Sequence, residues 1–376
     1  MDKKIKIFVD AHSFDKELQG AQTFIRELYT AILKHHPDVD VYMGAYNTNR
    51  IATAFPALDE TRILKYKHIG IRRMLSDIPA LIKKYRFDYA HFQYVSPRSI
   101  NNCRYIVTLH DLVYKEMPQY FPPIYSKLRS IFFKKYFLRA QVKTTVSEYS
   151  RQSISKHYGT PVSEIHVIPN AVDHSFGEHF ISADDARKKI NSQYALSNYI
   201  LYVSRIEPRK NHVLLLKTYL SLELYKKNIP LVFIGNKSMD VPELSALLNS
   251  LKAEQKKYIH FLSNIPQEDL AAFYTACILF VYPSKGEGFG IPPLEAAICG
   301  APVLCSNVTA MKDFYFFDPY TFDPDDEADF KNKLQDMINN PVPAGFTGEV
   351  SKKIEQNYSW EKSAVKFYKL LQPVSS

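Results

Sequence analysis

No apolar run in this chain approaches the ~18–20 residues that a bilayer-crossing helix requires. The N-terminal stretch MDKKIKIFVDAHSFD turns acidic within ten residues and reads as a first β-strand. A signal peptide would need a longer apolar stretch and a small-residue cleavage site, so the expected setting is the cytoplasm. The N-x-S/T matches at Asn307 and Asn357 then carry no weight. Paired CxxC spacing is also missing: Cys103, Cys277, Cys299 and Cys305 fall in expected strands or helix ends and read as buried, reduced thiols. No GxGxxG follows a strand, which speaks against a nicotinamide- or flavin-linked oxidoreductase. P-loop, HExxH and G-x-S-x-G patterns are absent as well.

What is present is ordinary globular composition, 46% hydrophobic and 23% charged, over 376 residues. That length accommodates one large domain or two of common size. The net charge of +9 is unevenly placed. Residues 1–173 hold 26 Lys and Arg against 16 Asp and Glu, whereas residues 174–376 hold 22 against 23. A basic first half fits an anionic partner: nucleic acid, lipid headgroups or a phosphorylated acceptor. It fits an ordinary solvated face equally well.

Short β-rich runs alternate with segments of helical period. KIKIFVD (4–10), DVYMGAY (40–46), DYAHFQ (88–93), YIVTLHD (105–111) and KTTVS (143–147) read as strands. A second series follows with YILYVS (199–204), PLVFIG (230–235), YIHFLS (258–263), ILFVYPS (278–284) and APVLCS (301–306). Helical patterns lie between them, near 21–34, 211–228, 241–254, 267–276 and 292–299. Such alternation implies α/β architecture with parallel sheets covered on both faces. The expected division is 1–175 plus a C-terminal helix over 357–376, capped by Ser359, and 195–356. The polar stretch 169–197 reads as the irregular connection between them.

In open parallel sheets, ligands sit at the carboxyl ends of strands, and the chemistry-bearing residues cluster at such places. ILFVYPS runs into EGFGIPPLE (287–295), two glutamates flanking Gly288 and Gly290, then Pro292 and Pro293. Glycines permit close backbone approach, prolines suit a first helical turn, and a helix N-terminus attracts anions. Glu295 is expected in that first turn, where a carboxylate would also complement the helix dipole. The two glutamates alternatively suit a double displacement with one as nucleophile. YILYVS ends in RIEPRKN, where Arg205 and Lys210, with Arg209 beside them, suit a diphosphate. In the first half, His110 and Asp111 close a strand, and Gly20 opens the first helix. Asp10, His12, His91 and Gln93 are weaker candidates. Asp323 and Asp325 form a D-x-D, read as a capped helix start rather than a metal site. The basic, aromatic SKLRSIFFKKYFLRA (126–140) suits either a membrane surface or a core-facing helix.

These residues resemble a large family of retaining glycosyltransferases of the GT-B fold that includes bacterial lipopolysaccharide and capsule mannosyltransferases. The resemblance is strongest in SRIEPRKN (204–211), in FLSNIPQEDLAAFYTACILFVYPSKGEGFGIPPLEAAICGAPVLCSN (261–307), and in VSEYSRQSISKHYG and VIPNAVD (146–173). It implies two facing Rossmann-like domains with a cleft between them. The second would bind a nucleotide-sugar and the first would supply most of the acceptor site. It implies that Arg205 and Lys210 bind the donor diphosphate and that Glu287 lies beside the transferred sugar. Gly288, Phe289 and Gly290 would offer backbone N–H groups, with Ile291 in the same donor-binding set, and Glu295 would hold the ribose. Asn264 and Ile265 match the place of the base, His110 a histidine that touches the sugar, and Gly20 a glycine-rich loop near the diphosphate. The chain departs from the family at that loop, where only Gly20 stands in QGAQT. It departs again after APVLCSN, where VTAMKDFYFFDPY replaces the usual elements.

The implied activity is retaining hexosyl transfer, most simply of mannose from GDP-mannose, without metal or cofactor. The acceptor would be a glycan or lipid-linked saccharide in surface polysaccharide synthesis. The implied partners are donor, acceptor and peripherally the inner face of a membrane, with no nucleic acid. Rival readings are a UDP-sugar donor, a nucleotide-sugar epimerase of similar fold, and a catalytically silent nucleotide-sugar-binding protein.

Overall fold

The computed structural model describes residues 4–15, 20–100, 102–173, 176 and 181–371; the side chain of Tyr125 is not described. The chain divides into two compact units, Met1–Asn170 with Tyr358–Ser376, and Ala171–Asn357. Each is a parallel sheet with helical crossovers, as the alternation of strand and helix patterns implies.

In the first unit seven strands run β1 (Ile5–Asp10), β2 (Val39–Ala45), β3 (Ile63–Lys65), β4 (Tyr89–Gln93), β5 (Arg104–Thr108), β6 (Val142–Thr145) and β7 (Ile165–Val167). Their order across the sheet is 3-2-1-4-5-6-7, all parallel. The central strands are nearly continuous apolar runs because both faces are covered: Ile7, Phe8, Val9, Ala90, Phe92, Ile106 and Val107 are fully buried. In the second unit the strands are β8 (Ile200–Val203), β9 (Leu231–Ile234), β10 (Ile259–Leu262), β11 (Leu279–Tyr282), β12 (Val303–Ser306) and β13 (Thr321–Phe322). Their order, 10-9-8-11-12-13, repeats the same winding. In both sheets the strand order reverses beside the first strand, between β1 and β4 and between β8 and β11. Crevices at such switch points lie outside the carboxyl ends of the strands.

Three strands escape the sequence patterns. β3, β7 and β13 have two or three residues each and lie at sheet edges, too short for alternation to register. The stretch 169–197 also differs from expectation, for it carries the helix Ala183–Tyr194. Ser182 caps that helix by accepting from Asp185 N, and Ala186 and Ile190 are buried. Its far end is tied to the helix Gln267–Ala276 of the same unit, with Lys189 and Tyr194 at 2.6 and 2.7 Å from the Asp269 carboxylate. Its polar composition reflects a helix with one narrow buried stripe.

The C-terminal helix Trp360–Tyr368 does return to the first unit. Ser359 caps it by accepting from Lys362 N. It lies on the helix Gly20–His35, with Trp360 edge-on to Phe24 (6.1 Å) and Phe367 edge-on to Tyr29 (5.9 Å). Ser363 Oγ donates to the Pro169 carbonyl at 2.7 Å, anchoring the same helix beside the end of the seven-stranded sheet's last connection.

Candidate functional site

The loops after β8 and β11, on either side of the switch point in the second unit, carry a buried ionic cluster. After β8 the chain makes a short 3-10 turn, Pro208–Lys210, then passes through Asn211 in the left-handed region (φ 57°) into the helix His212–Ser221. Tyr202, on β8, donates to the Lys210 carbonyl at 2.6 Å and fixes that turn from below. The neighbouring strand approaches closely: a Cβ on Gly235, just past β9 at φ 149°, would lie 2.0 Å from the Ser204 carbonyl oxygen. Only glycine fits there.

Lys210, 7% exposed, donates from Nζ to Glu287 Oε1 at 2.5 Å and to the Tyr282 hydroxyl at 3.2 Å. Glu287 Oε1 also accepts from Ser284 Oγ (2.6 Å) and Tyr282 Oη (3.0 Å). Its other oxygen accepts from Arg209 Nη1 at 3.2 Å. Arg209 further donates to the Gly286 carbonyl at 2.5 Å and pairs with Glu207 at 2.6 Å. The backbone joins in: Lys285 N donates to the Arg209 carbonyl, and Glu287 N to Thr309 Oγ1, both at 2.9 Å. Burial alone would favour the neutral acid, but Lys210 and Arg209 hold the Glu287 carboxyl well below its usual range. Burial pulls Lys210 below its ordinary value, while Glu287 works against that. The result is an ammonium and a guanidinium locked around a carboxylate in a largely water-free place, where electrostatic interactions are strong.

Beyond Glu287 the chain turns at Gly290, whose φ is 97° and whose hypothetical Cβ would lie 2.5 Å from Met311 Sδ. Gly290 caps the helix Ile291–Ile298, with Phe289 buried edge-on to Phe314 at 5.4 Å. Pro292 and Pro293 carry no N–H, so among the helix's own first residues Ile291 is the only donor before Leu294. The anion-attracting part of this terminus is therefore narrower than a helix N-terminus usually offers. Glu295 is the helix's fifth residue and not in its first turn, which corrects the sequence expectation and removes the dipole explanation for it. It is instead held by Tyr274, whose hydroxyl donates to Oε2 at 2.8 Å. Burial, helped by the charge of Asp173 and opposed by Tyr274, pushes the Glu295 carboxyl up to about 7. The rings of Tyr274, Phe280 and Tyr282 form a row, 5.4 and 6.0 Å between centroids, that spaces Glu295 from Glu287.

Arg205 is exposed and has no acidic partner among the described residues. Arg209, noted in the sequence only as its neighbour, occupies the cluster instead. Asn264 (φ 54°) and Ile265 lie after β10, where Asn264 Oδ1 accepts from Asn236 Nδ2 at 3.2 Å. They share the carboxyl edge of the sheet with the cluster. Tyr282, Ser284, Thr309 and Tyr274 were missed by sequence reasoning. Tyr282 and Ser284 lie in ILFVYPS, where they read as strand, and Thr309 and Tyr274 carry no motif. Asp325, of the D-x-D, pairs with Lys285 at 2.6 Å, while Asp326 caps the helix Glu327–Asn339.

The first unit gathers polar groups at the same end of its sheet. Asp10, closing β1, is buried and accepts from Tyr66 Oη (2.9 Å) and Arg73 Nη2 (3.2 Å), with His12 Nδ1 at 3.1 Å. Against the opposing effect of burial, His12 and Arg73 hold its carboxyl far below the usual range. His110, just past β5, is 7% exposed and bonded through Nε2 to Gln93 Oε1 at 2.6 Å. The Asp111 carboxylate accepts from Val113 N at 3.1 Å. Gly20 is exposed at the first turn of its helix with open space around its Cα, so its conformation does not demand glycine. Residues 16–19, which precede it, lie outside the described residues.

With this geometry in hand, comparison with known proteins is informative. The profile described as Glycosyl transferases group 1 matches residues 184–358, and that described as Glycosyltransferase Family 4 matches residues 18–176. The chain is similar to O-antigen chain mannosyltransferase B of Escherichia coli, 29% identical over 312 residues that cover 78% of this chain and 81% of that protein. It is also similar to O-antigen chain mannosyltransferase RfbU of Salmonella typhimurium, 27% identical, covering 62% and 61%. The serotype-specific mannosyltransferase WbdA of Escherichia coli is 30% identical, but the match spans 54% of this chain and only a quarter of that longer protein. Among solved structures, sucrose-phosphate synthase from Thermosynechococcus elongatus superposes with a TM-score of 0.75 at 18% identity, covering 98% of both chains. HepE of Anabaena, in complex with UDP-glucose, gives 0.74 at 14% identity, covering 97% and 98%. These structural likenesses show the fold.

The ionic cluster makes a prediction independent of ligands. Replacing Lys210 by Met leaves Glu287 buried with too little positive charge and should destabilise the protein by about 3–5 kcal/mol in urea unfolding. Adding Glu287→Gln should recover much of that loss; simple additivity of the two losses would mean that the pair is not coupled.

Proposed function

We propose that the chain, whose residues 184–358 match the model of glycosyl transferases group 1 and whose residues 18–176 match that of glycosyltransferase family 4, moves mannose from GDP-mannose, with retention, to a glycan or lipid-linked saccharide in surface polysaccharide synthesis. The observation that carries this reading is the buried Lys210–Arg209–Glu287 cluster at the switch point of the second unit. The choice of mannose draws support from the relatives that are named as mannosyltransferases.

On this reading the diphosphate takes Lys210, with Arg205 as the second cation from the exposed side. The carbon–oxygen bond to the diphosphate breaks through an oxocarbenium-like state, and the acceptor hydroxyl attacks from the face the leaving group departs. The departing phosphate oxygen takes the acceptor proton. Lys210, Arg205 and the backbone N–H groups of Gly288, Phe289, Gly290 and Ile291 offset the charge that grows on the diphosphate, so this chemistry draws on preorganised electrostatics without a metal. Glu287, kept ionised, accepts hydrogen bonds from sugar hydroxyls and orients Lys210. It is braced by four donors and is poorly disposed as a nucleophile. Glu295 takes the ribose, Asn264 and Ile265 border the base, and Gly20 and His110 are assigned to the reaction as well.

A thermal-shift panel of GDP, UDP, ADP and their sugars tests the donor. Stabilisation by GDP-mannose and GDP, and not by the others, is expected. A response confined to UDP-sugars would replace the donor, and no response to any nucleotide would remove the reading altogether.

The raised Glu295 carboxyl gives a pH signature. It is protonated below about 7 and ionised above, and only the carboxylate accepts from both ribose hydroxyls. GDP affinity should therefore rise as pH passes upward through about 7, and Glu295→Gln should bind weakly with no such rise. The linked effect on the free protein has the opposite sign. A carboxyl raised above its unfolded value stabilises at low pH, and that contribution is lost as pH climbs through 7. A pH-independent affinity in the unsubstituted protein would separate Glu295 from the ribose.

Peripheral membrane contact at the inner face is part of the proposal. The helix Pro123–Arg139 buries Phe133 and Phe137, yet Ile124, Leu128, Ile131, Phe132 and Leu138 stay exposed among Lys127, Arg129, Lys134 and Lys135. Such a mixture suits anionic headgroups. Co-sedimentation with phosphatidylglycerol vesicles, lost in a Leu128→Ser/Ile131→Ser/Phe132→Ser variant and absent with phosphatidylcholine, is the expected result; no sedimentation with either lipid would end this part of the proposal.

A further inference from the structure

Behind His110 lies a closed network of uncharged polar groups in the core of the first unit. His110 Nε2 meets Gln93 Oε1 at 2.6 Å, and Gln93 Nε2 reaches His91 Nε2 at 3.2 Å. His91 continues to Thr108 Oγ1 at 2.7 Å on one side and, through Nδ1, to Tyr29 Oη at 2.7 Å on the other. Thr108 meets Thr144 Oγ1 at 2.6 Å, where the Thr144 hydroxyl donates so that the Thr108 hydroxyl can donate to His91 Nε2. His91, Thr108 and Thr144 are fully buried and Gln93 is 3% exposed. A core position for so many polar groups is costly unless each is satisfied, so the arrangement of protons along the network is constrained.

The chemistry of each link sets the direction. The Gln93 amide nitrogen has only protons to give, so His91 Nε2 accepts and its proton sits on Nδ1, facing Tyr29. The Gln93 carbonyl oxygen has only lone pairs, so His110 Nε2 must carry a proton. Burial keeps both rings neutral: His91 is held down at about 3, with the charge of His110 adding to the effect, and His110 at about 4. A neutral imidazole with its proton on Nε2 has one acceptor left, Nδ1. The imidazole ring packs edge-on to Phe24, 5.2 Å between centroids, and against Tyr94 at 5.3 Å, a phenol kept neutral by burial. Asp111, next in the chain, spends an oxygen on Val113 N.

We propose that Gln93 is a positioning residue for the reaction: it fixes the proton of His110 on Nε2 and so leaves Nδ1 as a permanent hydrogen-bond acceptor for a hydroxyl of the substrate. This rests on the reading of His110 as a residue of the reaction, and it assigns Gln93, His91 and Tyr29 as the row that sets its tautomer. The device differs from a carboxylate behind a histidine. An amide fixes the tautomer without raising the basicity of the ring, so the histidine orients a hydroxyl and does not take its proton.

Nitrogen-15 NMR of histidine-labelled protein reads the tautomer directly. The unsubstituted protein should show His110 protonated on Nε2 only, between pH 5.5 and 8.5, with the resonance assigned by its loss in His110→Ala. In Gln93→Leu the ring should become a mixture of tautomers, with donor turnover down by about ten-fold or more and GDP affinity within about two-fold of normal. Gln93→Glu places a carboxylate against Nε2 and should add a new limb to the pH profile of kcat as His110 begins to titrate. A ring protonated on Nδ1 in the unsubstituted protein, or a tautomer unchanged in Gln93→Leu, would overturn the assignment of Gln93. Normal turnover in His110→Ala, with the tautomer shift intact, would instead remove His110 from the reaction and leave the network's proton order standing.

Discussion

A carboxylate with almost no access to water has to be matched by positive charge, and Glu287 sets the terms for the second unit's ligand end. Two cations and two hydroxyls converge on it, and none of the four comes from its own loop except Ser284. The demand therefore reaches outward. Lys210 must project inward from a turn whose carbonyl Tyr202 holds, and Arg209 must reach across to the Gly286 carbonyl. Each loop is ordered by the other, and neither has a reason for its conformation when taken alone. Removing Glu287 would free two cations to repel one another; removing Lys210 would strand a buried anion. A site built this way keeps its positive groups aligned in the absence of any bound anion, which is the preorganisation that electrostatic catalysis needs.

The first unit reaches a similar arrangement from a different sequence. Asp10 ends the strand corresponding to β8, is buried, and is held by an arginine, a histidine and a tyrosine hydroxyl. Glu287 is held by an arginine, a lysine and a tyrosine hydroxyl. Both lie at the carboxyl end of a sheet beside its switch point, where the chain must diverge to opposite faces and leaves a gap that apolar side chains do not fill. Parallel winding creates the gap, and a charged carboxylate with a tailored shell stiffens it. The similarity is one of physical problem, since the supporting residues arrive from unrelated positions: Arg73 and Tyr66 lie well beyond β1, whereas Lys210 and Arg209 precede β11.

Much of this was legible in the residues. The central strands of both sheets could be read because they are buried on both faces and therefore continuous in apolar character. The edge strands β3, β7 and β13 could not, since two or three residues carry no period and their pairing is decided by neighbours far along the chain. Ser359 announced its cap because capping is local chemistry. The helix Ala183–Tyr194 did not announce itself although Ser182 caps it locally, since Ala186 and Ile190 alone mark its buried side and its ties to Asp269 reach some eighty residues along the chain. The same division runs through the site. Lys210, Glu287 and Gly290 stand in compact local patterns, while the roles of Arg209 and Tyr274 depend on which loops the sheet brings together. Glu295 was placed in its helix's first turn because two prolines suggested a later start; the glycine at 290 begins the helix sooner.

The supporting groups share one further property. Tyr202, Tyr274, Tyr282 and Tyr66 donate respectively to the Lys210 carbonyl, Glu295, Glu287 and Asp10, and burial pushes each phenol well above its ordinary value. A phenol that cannot ionise is a donor at every pH the protein meets. A serine in its place would be too short to span from the sheet to the loop, and a lysine would bring a charge that changes the balance around the carboxylate. The rigid ring fills core volume as it reaches, so the same atoms that pack the sheet also aim the hydroxyl. With 26 tyrosines in its 376 residues, the chain has the material to do this repeatedly. The ionic groups at the two switch points can then be few, buried and individually placed, because neutral donors help to hold them still.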